Sequence, residues 1–370
     1  MRDRVSAAHR IVIKIGSSSL TGKSGGQLDP TAVDALVDVV AGLKKSGKEV
    51  LVVSSGAIAA GLAPLGLATR PKDLATQQAA ASVGQGLLIH RYTESFSRYS
   101  ITASQVLLTI EDVVRRSHYQ NAQRTLFKLI ALGVVPVINE NDSVGTQEIR
   151  FGDNDRIAAL VSHLVGADLL VLVTDVDALY DAPPTSANAK KISEVHVIDE
   201  ISQAVIGGVG SAGVGSGGMV TKVDAARIAT GAGIPTLLTS LAEVGAALSG
   251  EIFGTFFHSS TSKKSSRLLW LAHAATPHGK LILDAGAVTA IKERGVSLLP
   301  AGVTAVEGEF ISGDTVELVG PDGVAIARGL VAFDASEVPQ MLGRSTKDLA
   351  KELGAEYERE LVHRDDLVLL

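Results

Sequence analysis

The chain has 370 residues, 46% of them hydrophobic, 20% charged and only 4% aromatic, which predicts two domains with interiors built from Ala, Val, Leu and Ile. It contains no cysteine, so disulfides, thiolate nucleophiles and cysteine-based zinc sites are excluded. A net charge of −6 disfavours nonspecific attraction to nucleic acid or anionic lipid, no apolar run is long enough to span a membrane, and the opening MRDRVSAAHR lacks a signal-peptide core, so a soluble cytoplasmic protein is expected.

Short apolar runs alternate with longer Ala- and Leu-rich segments through the first 240 or so residues, the pattern of repeated βαβ units. Strands are predicted at Ile11–Ile15, Val50–Val53, Gln105–Leu108, Val134–Ile138, Leu169–Val173 and Pro235–Leu238. Nearly all are apolar throughout, as strands covered on both faces should be. Asp29-Pro30 opens the first long helix with a cap followed by a proline that needs no amide partner, and Gly47 ends it. Further helices are predicted near Leu74–Phe96, His118–Leu132, Asp155–Leu164 and Thr221–Ala232. The predicted fold is α/β: a three-layer αβα sandwich around a mainly parallel sheet, occupying residues 1–259.

The Ser-, Lys- and Arg-rich stretch over 260–278 reads as a linker. Beyond it, short runs punctuated by glycine, at Leu281–Leu283, Val303–Glu307, Thr315–Leu318 and Val324–Ala327, predict a small mainly-β domain over 279–357, followed by a tail over 358–370. Residues 277–370 carry 9 Lys and Arg against 16 Asp and Glu, so strong RNA binding by this part is not expected.

In open α/β sheets ligands bind beyond the carboxyl ends of the strands, and there the polar residues gather. Strand one contains Lys14 and runs into Gly16-Ser17-Ser18-Ser19. A lysine in an apolar strand is costly to bury without a counter-charge; it either snorkels to solvent or meets an anion, and the adjacent Gly-Ser-Ser-Ser favours a phosphate. Strand two runs into Ser54-Ser55-Gly56, which reads either as a plain helix cap or as an anion site at a helix start.

Asn139-Glu140-Asn141-Asp142 and Gly152-Asp153-Asn154-Asp155 place acids and amides in two short loops, which read either as turns with Asp153 capping the next helix or as the inventory needed to bind an α-amino group. Strand five ends in Thr174-Asp175, and the Gly-rich stretch 207–218 leads into Thr221-Lys222 at a helix start. Two pattern matches carry little weight. The G-x-G-x-x-G runs at 208–213 and 213–218 do not follow a strand, and Gly16…Gly22-Lys23-Ser24 has one residue too many for a P-loop.

With Lys14, SSGAIAAG, VPVINEND, FGDND, LLVLVTDVDALY and GSGGMVTK in that order, the chain resembles the amino acid kinase family, and its tail resembles a PUA domain. Within the family, INEND followed by GDND points to a kinase of the L-glutamate γ-carboxylate; an N-acetylglutamate or aspartate kinase is the alternative. The resemblance implies that Lys14 and Lys222 flank the transferring phosphoryl group and that Asp155 orients both lysines. It assigns the amino acid to Ser55, Gly56, Asp142 and Asn154. ATP falls to Lys14, Thr174, Asp175, Ser216, Gly217, Gly218, Met219, Val220, Thr221 and Lys222, with Mg²⁺ held through phosphate oxygens. It also implies the first step of proline synthesis, feedback inhibition by proline, and a homo-oligomer, dimer or tetramer.

Overall fold

The computed structural model describes residues 3–21, 27–114, 116–144, 154–182, 186, 188–198, 201, 218–259 and 277–370. Two compact units are present, residues 1–263 and 264–370. The strands of the first are β1 (Arg10–Ile15), β2 (Glu49–Ser54), β3 (Ala103–Leu108), β4 (Val135–Glu140), β5 (Leu169–Thr174), β6 (Leu179–Tyr180), β7 (Lys191–Ile192), β8 (Glu194–Val195), β9 (Thr236–Ser240) and β10 (Thr255–Phe257). Its helices are α1 (Asp3–Ala7), α2 (Ser17–Leu20), α3 (Pro30–Lys45), α4 (Ala57–Leu62), α5 (Leu74–Ser97), α6 (Ile110–Val114), α7 (Arg116–Ala131), α8 (Asn154–Leu164), α9 (Met219–Gly231) and α10 (Val244–Leu248).

The six long strands expected from the sequence are all present, within two residues of their expected bounds. Together with β10 and β8 they form one eight-stranded sheet in the order β3-β4-β2-β1-β5-β9-β10-β8, while β6 and β7 pair apart from it. Pairing is parallel from β3 to β9; β10 runs antiparallel to β9, and the two-residue β8 closes that edge parallel to β10. From β1 the chain builds outward on one side through β2, and β5 and β9 extend the other. The crevice beyond the carboxyl ends of β1 and β5 is therefore the topological switch point, where such sheets bind ligands.

Helices cover both faces. Ile11, Ile13 and Ile15 of β1 enter the core that α3, α5 and α10 share through Val37, Leu88, Tyr92, Phe96 and Val244. Helix α3 begins as its sequence predicts: Asp29 accepts from the Thr31 amide at 2.9 Å, and Pro30 stands in the first turn. On the other face α8 and α9 pack on the sheet and on each other. No helix among the described residues is long and apolar enough to cross a membrane.

The second unit folds on β11 (Gly279–Leu283), β12 (Val303–Gly308), β13 (Thr315–Val319), β14 (Ala325–Val331) and β15 (Val362–Leu369), with α11 (Ala285–Arg294) and α12 (Thr346–Leu353) beside them. The sheet order is β12-β11-β13-β14-β15, with only β11 and β13 parallel. The span 358–370, expected to be a tail, includes β15. Buried Val362 and Leu367 complete the unit's core from that strand, which holds it on the sheet.

The approach of α4 to α5 fixes where the chain leaves β2. A Cβ on Gly84 would lie 1.8 Å from the Ala57 carbonyl oxygen, and one on Gly61 would lie 1.9 Å from that of Ala80. Only glycine at both positions lets the two backbones touch. Gly84→Ala is expected to lower stability by about 2–3 kcal/mol through overpacking. Thermal denaturation checks this; an unchanged Tm would mean that the helices separate at no cost.

Candidate active site

Side chains alternate across a strand, so Val12 and Lys14 point away from Ile11, Ile13 and Ile15, toward the face on which α8 packs. Lys14 is 4% exposed there. Its Nζ lies 2.7 Å from Oδ1 of Asp155, the second residue of α8, whose side chain is fully buried. Lys222, in the first turn of α9, brings its own Nζ to 3.5 Å from Asp155 Oδ2. The Thr221 hydroxyl stands 2.7 Å from that same oxygen and 2.9 Å from the Gly218 carbonyl oxygen. Burial alone would push the Asp155 carboxyl up, but the two ammonium groups and the Thr221 hydroxyl more than offset it and hold the carboxyl at about 2. Lys14 and Lys222 thus meet on one buried anion at the switch point.

Next to Asp155, Asn154 faces a different group. Its Nδ2 donates to Ser55 Oγ at 3.1 Å and to Asn139 Oδ1 at 2.9 Å, while its Oδ1 accepts from the Glu140 amide at 3.2 Å. Asn139 Nδ2 donates in turn to Gln85 Oε1 at 2.7 Å. Ser55 is not the cap of α4. That position belongs to Gly56, whose φ of 109° is left-handed and suits glycine, and the Ser55 hydroxyl is turned to the Asn154 amide.

The other expected residues are distributed around this pair. Burial raises the Asp142 carboxyl to about 6, against the opposing pull of Arg70. Thr174 is buried at the end of β5 with its hydroxyl 2.9 Å from the exposed Asp175 carboxylate; no hydrogen bond joins either residue to Asp155 among the described ones. They stand beside β1, where the Gly16 amide donates to the Val173 carbonyl at 3.4 Å. Gly218 caps α9, and Met219 and Val220 open it, with Val220 exposed. Ser216, Gly217, Asp153 and the remainder of the Gly-rich stretch lie outside the described residues.

Sequence reasoning missed two neighbours of these residues, Arg70 beside Asp142 and Gln85 beside Asn139. Arg70, in the loop segment ATRPKD, reads as an ordinary surface charge until the fold brings it to Asp142. Gln85 sits mid-helix between Gly84 and Gly86; a long amide flanked by glycines on a sheet-facing helix was the available signal. Its Nε2 is buried without a hydrogen-bond partner among the described residues.

The model of the amino acid kinase family matches residues 9–240, the span that carries every one of these side chains. The chain belongs to the amino acid kinase family. Residues 279–353 match the PUA domain. Curated glutamate 5-kinases of Streptomyces avermitilis and Salinispora arenicola are each 61% identical to this amino acid kinase over 370 residues, all of this chain and 98% and 100% of theirs. The glutamate 5-kinase of Bifidobacterium longum is 51% identical over 371 residues, again across 100% of this chain and 98% of its own.

Asp155→Asn removes the buried carboxylate that Lys14 and Lys222 share and is expected to cost about 3–5 kcal/mol of stability. In the parent the depressed carboxyl contributes roughly 2 kcal/mol. That contribution is complete above the ordinary carboxylate value of 3.8 and is lost as pH falls through about 2. Urea unfolding of both proteins against pH checks it: the parent's acid-labile component should be missing from the variant.

Proposed function

We propose that the chain transfers the γ-phosphoryl group of ATP to the γ-carboxylate of L-glutamate, giving γ-glutamyl phosphate and ADP. The observation that carries this reading is the meeting of Lys14 and Lys222 on the single buried carboxylate of Asp155. A kinase of this family uses ATP, and the whole-chain likeness to curated glutamate 5-kinases favours glutamate over N-acetylglutamate or aspartate as acceptor.

The substrate carboxylate, with an ordinary pKa of about 4.3, is ionised at neutral pH and attacks without a general base. Its oxygen forms a bond to the γ-phosphorus while the bond from that phosphorus to the β–γ bridging oxygen breaks. ADP leaves with the electron pair, and no proton moves. What the step requires is neutralisation of charge spread over the phosphoryl oxygens of a loose transition state. Lys14 and Lys222 supply it from either side, and Asp155 positions both ammonium groups.

Ser55, Gly56, Asn154 and Asp142 hold glutamate, with Asp142 receiving the α-ammonium group. Thr174, Asp175 and the segment from Ser216 to Lys222 hold ATP. Asp155 is already engaged by two lysines and Thr221. A magnesium ion accompanying ATP would therefore rest on phosphate oxygens and water, as this hard cation commonly does. When bound it neutralises phosphate charge. The product opens proline synthesis, and proline inhibition, a dimeric or tetrameric assembly and a cytoplasmic location complete the proposal.

ADP release measured with glutamate, N-acetylglutamate, aspartate and UMP, with acyl phosphate trapped by hydroxylamine, tests the assignment. Hydroxamate should form with glutamate alone, and equal yield from another carboxylate overturns it. Lys222→Ala is expected to cut turnover by about 10²–10³ with a smaller change in glutamate KM. Because the Asp142 carboxyl lies at about 6, it is ionised above that pH and neutral below it. Glutamate KM should therefore rise as pH falls through about 6, and in Asp142→Asn it should be high and flat across that range. A parent profile that is flat there removes Asp142 from substrate binding.

A further inference from the structure

The far edge of the catalytic sheet carries a second cluster of chemistry-bearing side chains that phosphoryl transfer does not use. Glu194 begins β8, His196 follows that strand directly, and His258 follows β10. The two strands run parallel, with Phe256 opposite Glu194 and Phe257 opposite Val195, so their ends arrive together. Glu194 Oε2 lies 3.0 Å from His258 Nε2 and 3.6 Å from His196 Nε2. The two imidazoles stack with centroids 4.0 Å apart and planes 19° from parallel. Phe256 meets the His258 ring edge-on at 4.9 Å and fixes its orientation. One potential ligand atom from each residue falls within 4.8 Å of the other two.

The geometry points to a binding site for a divalent first-row transition metal of the zinc class, held by His196, His258 and Glu194. In a tetrahedral zinc site with bonds near 2.0–2.2 Å, neighbouring ligand atoms stand about 3.3–3.5 Å apart. The two distances from Glu194 bracket that spacing. His258 is largely buried and held by its neighbours, while His196 is 63% exposed and can swing to close the remaining gap. Two imidazoles with one carboxylate suit zinc, cobalt or nickel far better than magnesium, which prefers oxygen ligands and retains its water. A simple ion pair would need only one histidine; the second, stacked on the first, supplies the third ligand. The metal would clamp β8, a two-residue strand, to β10 by bonds stronger than its short ladder provides.

Titration of the full-length, chelator-treated chain with zinc by calorimetry, and with cobalt by visible absorption, tests the site. The expected result is one equivalent bound at micromolar concentration, a cobalt d–d band of low symmetry, and a Tm that rises with zinc. Excess magnesium should displace neither metal. His196→Ala, an exposed substitution, and Glu194→Gln should each weaken binding at least about tenfold and abolish the band. Glutamate-dependent turnover with magnesium and ATP in His196→Ala should match the parent, which shows that the variant is folded. Zinc binding by His196→Ala as tight as the parent's, or no micromolar binding by the parent, overturns the proposal.

Discussion

The catalytic unit is organised around one buried carboxylate that two ammonium groups share. An isolated Asp155 at full burial would give up its proton only at a cost of several kcal/mol, and an isolated Lys14 in β1 would be as costly. Each makes the other tolerable, and Lys222 brings a second cation to the same carboxylate. The contact that keeps β1, α8 and α9 together is thus the one on which the proposed phosphoryl transfer rests, so that proposal has function and stability share the same three side chains.

The first turn of α8 links this charged group to the amide cluster of Asn154, Ser55 and Asn139. Successive residues of a helix are rotated by about 100°, so Asn154 and Asp155 point in different directions from one backbone segment. Asn154 reaches Ser55 and Asn139; Asp155 reaches the two lysines and Thr221. On the proposed assignment, the separation between a bound amino acid and the phosphoryl group is set by a single peptide unit rather than by two independently moving loops. For a transfer that uses positioning and charge more than acid–base chemistry, such rigidity is the main catalytic resource. The contact of Gly61 with Gly84 serves the same end, because it fixes α4 and with it Ser55 and Gly56.

Much of this was legible in the sequence for a definite reason. A lysine interrupting an apolar strand, and strand ends that run uniformly into Gly, Ser, Asn and Asp, are local signals, and local signals survive without coordinates. What could not be read was set by distant contacts. Ser55 looks like a cap until Asn154 is brought to it, and Arg70 looks like solvent-facing charge until Asp142 arrives. The last strand escaped notice because HRDD interrupts its apolar residues, and only its pairing with β14 shows that Val362 and Leu367 face a core. The cluster of Glu194, His196 and His258 escaped for the same reason, since β8 and β10 are too short to show a period and lie far apart in the chain.

Asp142 bears a stability cost that Asp155 does not. Asp155 is held below the ordinary carboxylate range, so its charge favours the folded state at neutral pH. Asp142 is displaced the other way, by burial that Arg70 offsets only in part. An acid whose folded value is raised binds protons more tightly when folded, so its contribution to stability declines as pH rises from the ordinary value toward about 6. At neutral pH the fold therefore carries an under-compensated carboxylate, a condition that the proposed binding of the substrate ammonium group would relieve. Strain of this kind is what binding sites retain at the expense of stability. The sign of the shift separates the two carboxylates: Asp155 is held ionised by its buried partners, while Asp142 is compensated only in part.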